Sequence, residues 1–168
     1  MRNLYLIGFM GSGKSTVART FSDKYDMKLI EMDEEIVRQE NRAISEIFST
    51  DGELYFREQE TKLLRQIKHG EKQIVSCGGG SVLKSENVSL MKESGVVVWL
   101  LAKPETVLER IKDSQDRPLL NGKMNVKSIS ELMEKRRATY EAAADLLVET
   151  DGKSALDICS EIMGKLKS

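Results

Sequence analysis

Apolar residues along this chain fall into two rhythms, and the alternation between them predicts the fold. Five short runs rich in Val, Ile and Leu, at 3–7, 27–30, 73–77, 95–101 and 146–149, have the length and composition of β-strands. Between them, apolar positions recur every three or four residues over 15–24, 51–68, 85–93, 104–112, 128–144 and 154–166, the period of an amphipathic helix. Ser128 with Glu131, and Ser154 with Asp157, have the spacing of capping boxes. Strands alternating with helices imply an α/β fold, a parallel sheet covered on both faces, with ligands beyond the carboxyl ends of the strands. Two stretches break the alternation. Residues 34–68 are long and mostly helical, whereas 113–126 are polar and contain Arg117-Pro118 and Asn121-Gly122. The first could house a substrate and the second could close over it.

Length and charge narrow the possibilities. The 168 residues suit one domain with a two-sided core, so a substrate site must be built from insertions. A formal net charge of -1, with both signs interspersed, offers no basic stripe for nucleic acid and no polybasic segment for a membrane. Cys77 and Cys159 have no paired spacing, and the N-terminal apolar run is cut short by a glycine loop, so a reduced, cytoplasmic protein is expected. The single histidine, His69, precedes Gly70 at a helix end, which favours a surface position. No exposed apolar stripe argues for an obligate partner, and a monomer is expected.

The first strand runs directly into Gly8-Phe9-Met10-Gly11-Ser12-Gly13-Lys14-Ser15, which matches the phosphate-binding loop G-x-x-x-x-G-K-[ST] at every fixed position. In that motif the glycines, Gly11 and Gly13 among them, let successive backbone N–H groups turn inward, and the following helix aims its positive end at the same point. Lys14 supplies a charge to the β and γ phosphates, Ser15 a hydroxyl ligand for Mg²⁺, and Thr16 begins the supporting helix. The chain is therefore expected to bind a nucleoside triphosphate.

Other candidates are less specific. Glu31 and Asp33 close the second strand at i, i+2 spacing, which on an extended segment puts both carboxylates on one side. One could hold Mg²⁺ through water while the other orients an acceptor hydroxyl, or Asp33 could simply N-cap the helix beginning at Glu34. Gly78-Gly79-Gly80 at the end of the third strand permits close backbone approach to a ligand. Arg57 has Glu60 at i+3 and Glu53 at i-4, an ordinary helix ion-pair arrangement, and Arg136 beside Arg137 reads by itself as a solvated helix charge. Arg117 sits where a lid would be and is either a phosphate-contacting arginine or a loop residue kept for solubility.

Taken together, these residues resemble the shikimate kinase family over nearly the full chain. The resemblance is carried by Gly8 to Thr16, by Glu31-Met32-Asp33, and by Asp51-Gly52-Glu53 followed by Phe56-Arg57 and Glu60. It continues through Gly78-Gly79-Gly80, Arg117-Pro118-Leu119-Leu120, and Lys135-Arg136 ahead of Tyr140. It implies a three-layer αβα phosphate-loop kinase fold with strand order 2-3-1-4-5, a substrate-binding insertion at about 33–61 and a lid at about 112–125. It also implies transfer of the ATP γ-phosphoryl group to the 3-hydroxyl of shikimate, a step of aromatic amino acid biosynthesis, with ATP and Mg²⁺ as cofactors. By position, Asp33 contacts the ring hydroxyls as base or orienter, Arg57 and Arg136 clamp the carboxylate, and Gly79 offers a backbone N–H. Arg117 reaches ATP from the lid, while Asp151-Gly152-Lys153 borders the adenine together with Arg110. Glu31 stands where the family usually has aspartate, and Ala138-Thr139 replaces a proline common before the tyrosine.

Two other readings share the nucleotide loop. A gluconate or nucleoside monophosphate kinase would keep the ATP site and change the acceptor, but a nucleotide acceptor wants an apolar slot, whereas Asp33, Arg57 and Arg136 suit a small polyhydroxy acid. A GTPase-like switch predicts N-K-x-D and D-x-x-G motifs, and neither is present.

Overall fold

A computed structural model describes residues 2–112 and 125–168. Five parallel strands, β1 (Asn3–Ile7), β2 (Lys28–Glu31), β3 (Gln73–Ser76), β4 (Gly95–Leu101) and β5 (Leu146–Glu149), form one sheet in the order β2-β3-β1-β4-β5. β1 is central and buried along its whole length, which is why it reads as an apolar run without polar alternation.

The pleat of β1 divides the interior in two. Leu4 and Leu6 point into a cluster with Val17, Ala18 and Phe21 of α1 (Lys14–Tyr25) and Ile158, Cys159 and Ile162 of α7 (Ala155–Lys167). Tyr5 and Ile7 point the other way, into a cluster that draws on α2 (Met32–Glu40), α3 (Ile44–Lys68), α4 (Ser85–Ser94) and α6 (Val126–Ala143). α5 (Pro104–Ile111) closes one end by packing Val107 and Ile111 on Phe9, Ala102 and Ile129. The result is the αβα sandwich and strand order expected above.

Local chemistry accounts for where the boundaries differ from expectation. Helix 51–68 is part of a longer element that starts at Ile44, with a break where Gly52 takes φ 86, ψ 173. The last two helices divide the capping prediction. Ser154 accepts a hydrogen bond from the Asp157 N–H at 3.1 Å, as expected. Ser128 is not a cap: Asn125 accepts from the Ser128 N–H at 2.8 Å, so the helix begins two residues earlier. His69 and Gly70 are exposed at the end of α3.

Candidate active site

β1 and β3 are neighbours, yet the chain leaves them in opposite directions, β1 toward β2 and β3 toward β4. Their carboxyl ends therefore flank the crevice where an open parallel sheet can admit a ligand. The loop from Gly8 to Gly13 follows β1 and the triple glycine follows β3. The two loops touch, since a Cβ built on Gly79 would lie 3.7 Å from Met10 N and 3.8 Å from Gly8 O.

Gly13 takes the left-handed conformation (φ 98, ψ 13) and launches α1, whose first turn has no side-chain cap and no acidic residue. Its leading N–H groups and dipole thus face outward toward an anion site. Lys14 is buried and donates to the carbonyls of Gly8 and Phe9 at 2.7 and 3.0 Å, bracing the loop from within. Arg110, from α5, donates to Gly11 O at 2.9 Å. Ser12 is buried, while Ser15 and Thr16 are exposed. A cavity of about 740 Å³ runs from this loop, past Ser15, Thr16 and Arg110, to Glu31, Asp33, Gly78 and Gly79.

Asp33 does not cap a helix from outside. Helix α2 already begins at Met32, with extended Glu31 (φ -104, ψ 110) before it, so Asp33 lies in the first helical turn, where a carboxylate complements the dipole. The two carboxylates therefore do not share an extended segment. A strand end followed at once by a helical turn brings both to the cavity wall. Glu31 accepts from Arg19 at 3.3 Å, and its Oε1 is buried with no hydrogen-bond partner among the described residues.

The triple glycine is where the predicted residues meet. A Cβ on Gly78 would lie 2.7 Å from Glu60 Oε2 and 3.1 Å from Asp33 Oδ1, one on Gly79 3.7 Å from Arg136 Nη1, and one on Gly80 2.5 Å from Arg57 Nη2. Three consecutive backbone positions thus face an acid pair, one arginine and the other arginine. The ion-pair reading of Arg57 also holds, since its Nη1 donates to Glu60 Oε1 at 2.8 Å and Glu53 is 3.9 Å away. Arg136 lies over the Phe9 ring at 5.7 Å from its centroid, and Tyr140 donates to Gly79 O at 2.6 Å.

Charges register this convergence. Burial pushes the Glu60 carboxyl up to about 7; Arg57 pulls against that shift, and Asp33 and Glu53 add to it. Burial also raises the Tyr140 phenol, opposed by both Arg136 and Arg57. Cys77, on the floor of the crevice, is raised by burial as well, opposed by Lys14 and reinforced by Glu60 and Asp33.

Lys153 is not among the residues lining the cavity; its ammonium pairs with Glu161 of α7 at 2.7 Å. Asp151 instead caps the start of α5, accepting from the Lys103 N–H and the Thr106 hydroxyl, one turn before Arg110. Arg137 is exposed and pairs with Glu141. Arg117 lies outside the described residues, as does nearly all of the expected lid. Spacing presented Glu60 as an ordinary ion-pair partner of Arg57 and could not show that it is fully buried. It missed Thr61 and Asn87 altogether. The missed signal was polarity on an apolar stripe: Asn87 shares the buried face of α4 with Met91.

The family model for shikimate kinase matches residues 10–167. A shikimate kinase of Persephonella marina is 45% identical over 167 residues, covering 99% of this chain and 100% of the relative. Among solved structures, shikimate kinase from Acinetobacter baumannii in complex with shikimate superimposes with a TM-score of 0.94 at 30% identity, covering 99% of this chain and 93% of that one. The Aquifex aeolicus shikimate kinase gives 0.85 at 38% identity, covering 98% and 96%.

Proposed function

Given that the chain belongs to the shikimate kinase family and is an ATP- and Mg²⁺-dependent phosphotransferase, we propose how its own residues divide the transfer of the γ-phosphoryl group to the 3-hydroxyl of shikimate. The observation that supports this reading is the meeting of Asp33, Arg57 and Arg136 at Gly78, Gly79 and Gly80, beside the phosphate loop.

Arg57 and Arg136 grip the substrate carboxylate. Two planar guanidinium forks can each supply paired, charge-assisted hydrogen bonds, and the Gly79 N–H adds a fixed donor. Asp33 accepts a hydrogen bond from the reacting hydroxyl and aims its oxygen at the γ-phosphorus. As that oxygen bonds to phosphorus and the bond to the β-phosphate oxygen breaks, Asp33 takes the hydroxyl proton. Gly11, Ser12, Gly13, Lys14, Ser15 and Thr16 hold the phosphates by backbone N–H groups, the Lys14 ammonium and hydroxyls. Arg110 flanks the nucleotide, the 151–153 loop borders the adenine while the Lys153 ammonium stays with Glu161, and Arg117 brings a second cation to the transferring group.

The residues present suit a magnesium ion that arrives with the nucleotide. Among the described residues no three His, Cys, Asp or Glu side chains converge to hold a metal by themselves, while exposed Ser15 opens onto the cavity beside the uncapped helix end. Ser15 would hold Mg²⁺ together with phosphate oxygens and water, and the ion supplies neutralisation of charge on the β and γ phosphates.

We also assign segment 33–61 as the substrate-binding insertion and about 112–125 as the lid of a single kinase domain. No helix among the described residues is long and apolar enough to cross a membrane. A cytoplasmic monomer accords with that and with two free, buried cysteines.

A coupled ADP-release assay with shikimate, gluconate and AMP tests the assignment. Turnover is expected with shikimate alone and should be lost in Asp33→Asn. Full turnover in Asp33→Asn, with none in Lys14→Met, would remove Asp33 from its role.

A further inference from the structure

Each of the two arginines is followed, one helical turn later, by a buried hydroxyl tied to the same loop. Arg136 precedes Tyr140 on α6, and Tyr140 OH donates directly to Gly79 O at 2.6 Å. Arg57 precedes Thr61 on α3, and there the tie runs through a third helix. Thr61 Oγ1 donates to Asn87 Oδ1 at 2.7 Å, Asn87 Nδ2 donates to Ser81 O at 2.9 Å, and Ser81 Oγ donates to Gly78 O at 2.7 Å. Thr61 Oγ1 also lies 3.1 Å from the carbonyl of Arg57 itself.

These groups are placed where water cannot substitute. Asn87 and Ser81 have no exposed surface, and Thr61 and Tyr140 retain 2% each. A buried amide is costly unless both its ends are paired, and Asn87 pairs both, one to the helix that carries Arg57 and one to the glycine turn. Apolar residues of the same size would fill these places without the directional constraint. Tyr140 is fixed from its other side by stacking on Trp99, with ring centroids 5.7 Å apart, while Phe9 backs the Arg136 guanidinium. Among the described residues, the turn 78–81 is thus where the side chains at i+4 of both arginines lead, Tyr140 directly and Thr61 by way of Asn87 on α4.

We infer that Thr61, Asn87 and Tyr140 are positioning residues, which use the glycine turn as a common anchor to set the separation and angle of Arg57 and Arg136 and so determine selectivity for a carboxylate substrate. This rests on the reading of the two arginines as the acid clamp. A bidentate contact to one small anion from two helices tolerates little error, because a shift of an ångström at either helix breaks one prong. The nucleotide loop touches the turn and lends Phe9 to Arg136, but none of its groups is a hydrogen-bond partner in either tether, so the larger effect falls on shikimate.

The test measures KM for shikimate and for ATP separately in the full chain for Tyr140→Phe, Thr61→Val and Thr61→Ser, with Arg136→Lys alongside. Loss of one tether is expected to raise KM for shikimate about 3- to 10-fold, the size of one net hydrogen bond, with KM for ATP changed less than about twofold. Thr61→Ser, which keeps the hydroxyl, should stay near the parent. Parallel changes in the two KM values, or a lower Tm with neither KM moved, would overturn the inference. Should Thr61→Val fail to fold, Tyr140→Phe decides by the same criterion. Arg136→Lys separates the two levels of argument. If it raises KM for shikimate and Tyr140→Phe does not, the tether alone is lost; if it leaves that KM unchanged, the clamp fails and the tether with it.

Discussion

Arg57 occupies the space that a side chain at Gly80 would need: a Cβ there would lie 2.5 Å from Nη2 and 2.7 Å from both Cζ and Nη1. The backbone of Gly80 (φ -102, ψ 5) is open to any residue, so the absence of a side chain reflects the guanidinium and not the turn. Gly80→Ala should therefore leave Tm within a few degrees of the parent, because the tip of an arginine can give way. It should raise KM for shikimate by about tenfold or more, because the tip that gives way is the substrate contact. Steady-state kinetics with a melting curve on the same sample check both halves.

Gly8 is a contrasting case. It holds φ 150, and a Cβ there would meet the backbone carbonyl of Leu100 at 2.5 Å, which cannot move aside. Gly8→Ala is expected to cost on the order of 3 kcal/mol or more, from backbone strain and the clash together. A Tm lowered by roughly 10 °C is the expected readout, and an unchanged Tm would mean the loop is not packed against β4 as described.

Glu60 gives the site a pH dependence. Its carboxyl is held at about 7 against an ordinary 4.5, chiefly by burial, so the folded state binds its proton more tightly than the unfolded chain does. The sign follows from linkage. This group's contribution to stability is complete below about 4.5 and is lost as pH rises through about 7. Thermal melts from pH 4.5 to 8 should show the parent losing stability relative to Glu60→Gln over that window. The same ionisation partly neutralises Arg57, so KM for shikimate should climb with pH through about 7 in the parent and stay flatter in Glu60→Gln, while KM for ATP follows no such difference.

For the lid, Arg117→Ala is expected to lower kcat by at least about tenfold with little change in Tm, since a cation added to the transferring phosphoryl group acts on the transition state. Equal activity in parent and variant would remove Arg117 from the catalytic set.

Much of this was legible before any coordinates. The strands and the sheet order followed from short apolar runs and the resemblance, because a buried parallel strand needs no information beyond its own hydrophobicity. The phosphate loop was legible because its glycines, lysine and serine are required at fixed spacing. What escaped was lateral placement. Asp33 read as a strand-end or capping residue because spacing cannot tell a strand end from the first turn of a helix that starts without a loop. Glu60 read as an ordinary ion-pair partner of Arg57, with its burial unseen, because i, i+3 pairing is the same on a wet face and a buried one. Thr61 and Asn87 left only the faint mark of polar residues on apolar stripes, since the bond between them spans 26 positions. Lys153 was assigned to the nucleotide by resemblance, and no spacing foretold that its ammonium pairs with Glu161 on the next helix.

The most direct test is a crystal structure of the chain with shikimate and ADP. The account predicts Arg57 and Arg136 each donating to the substrate carboxylate at about 2.7–2.9 Å, with a ring hydroxyl on Asp33. A carboxylate bound elsewhere, with either guanidinium turned away from it, would contradict the account.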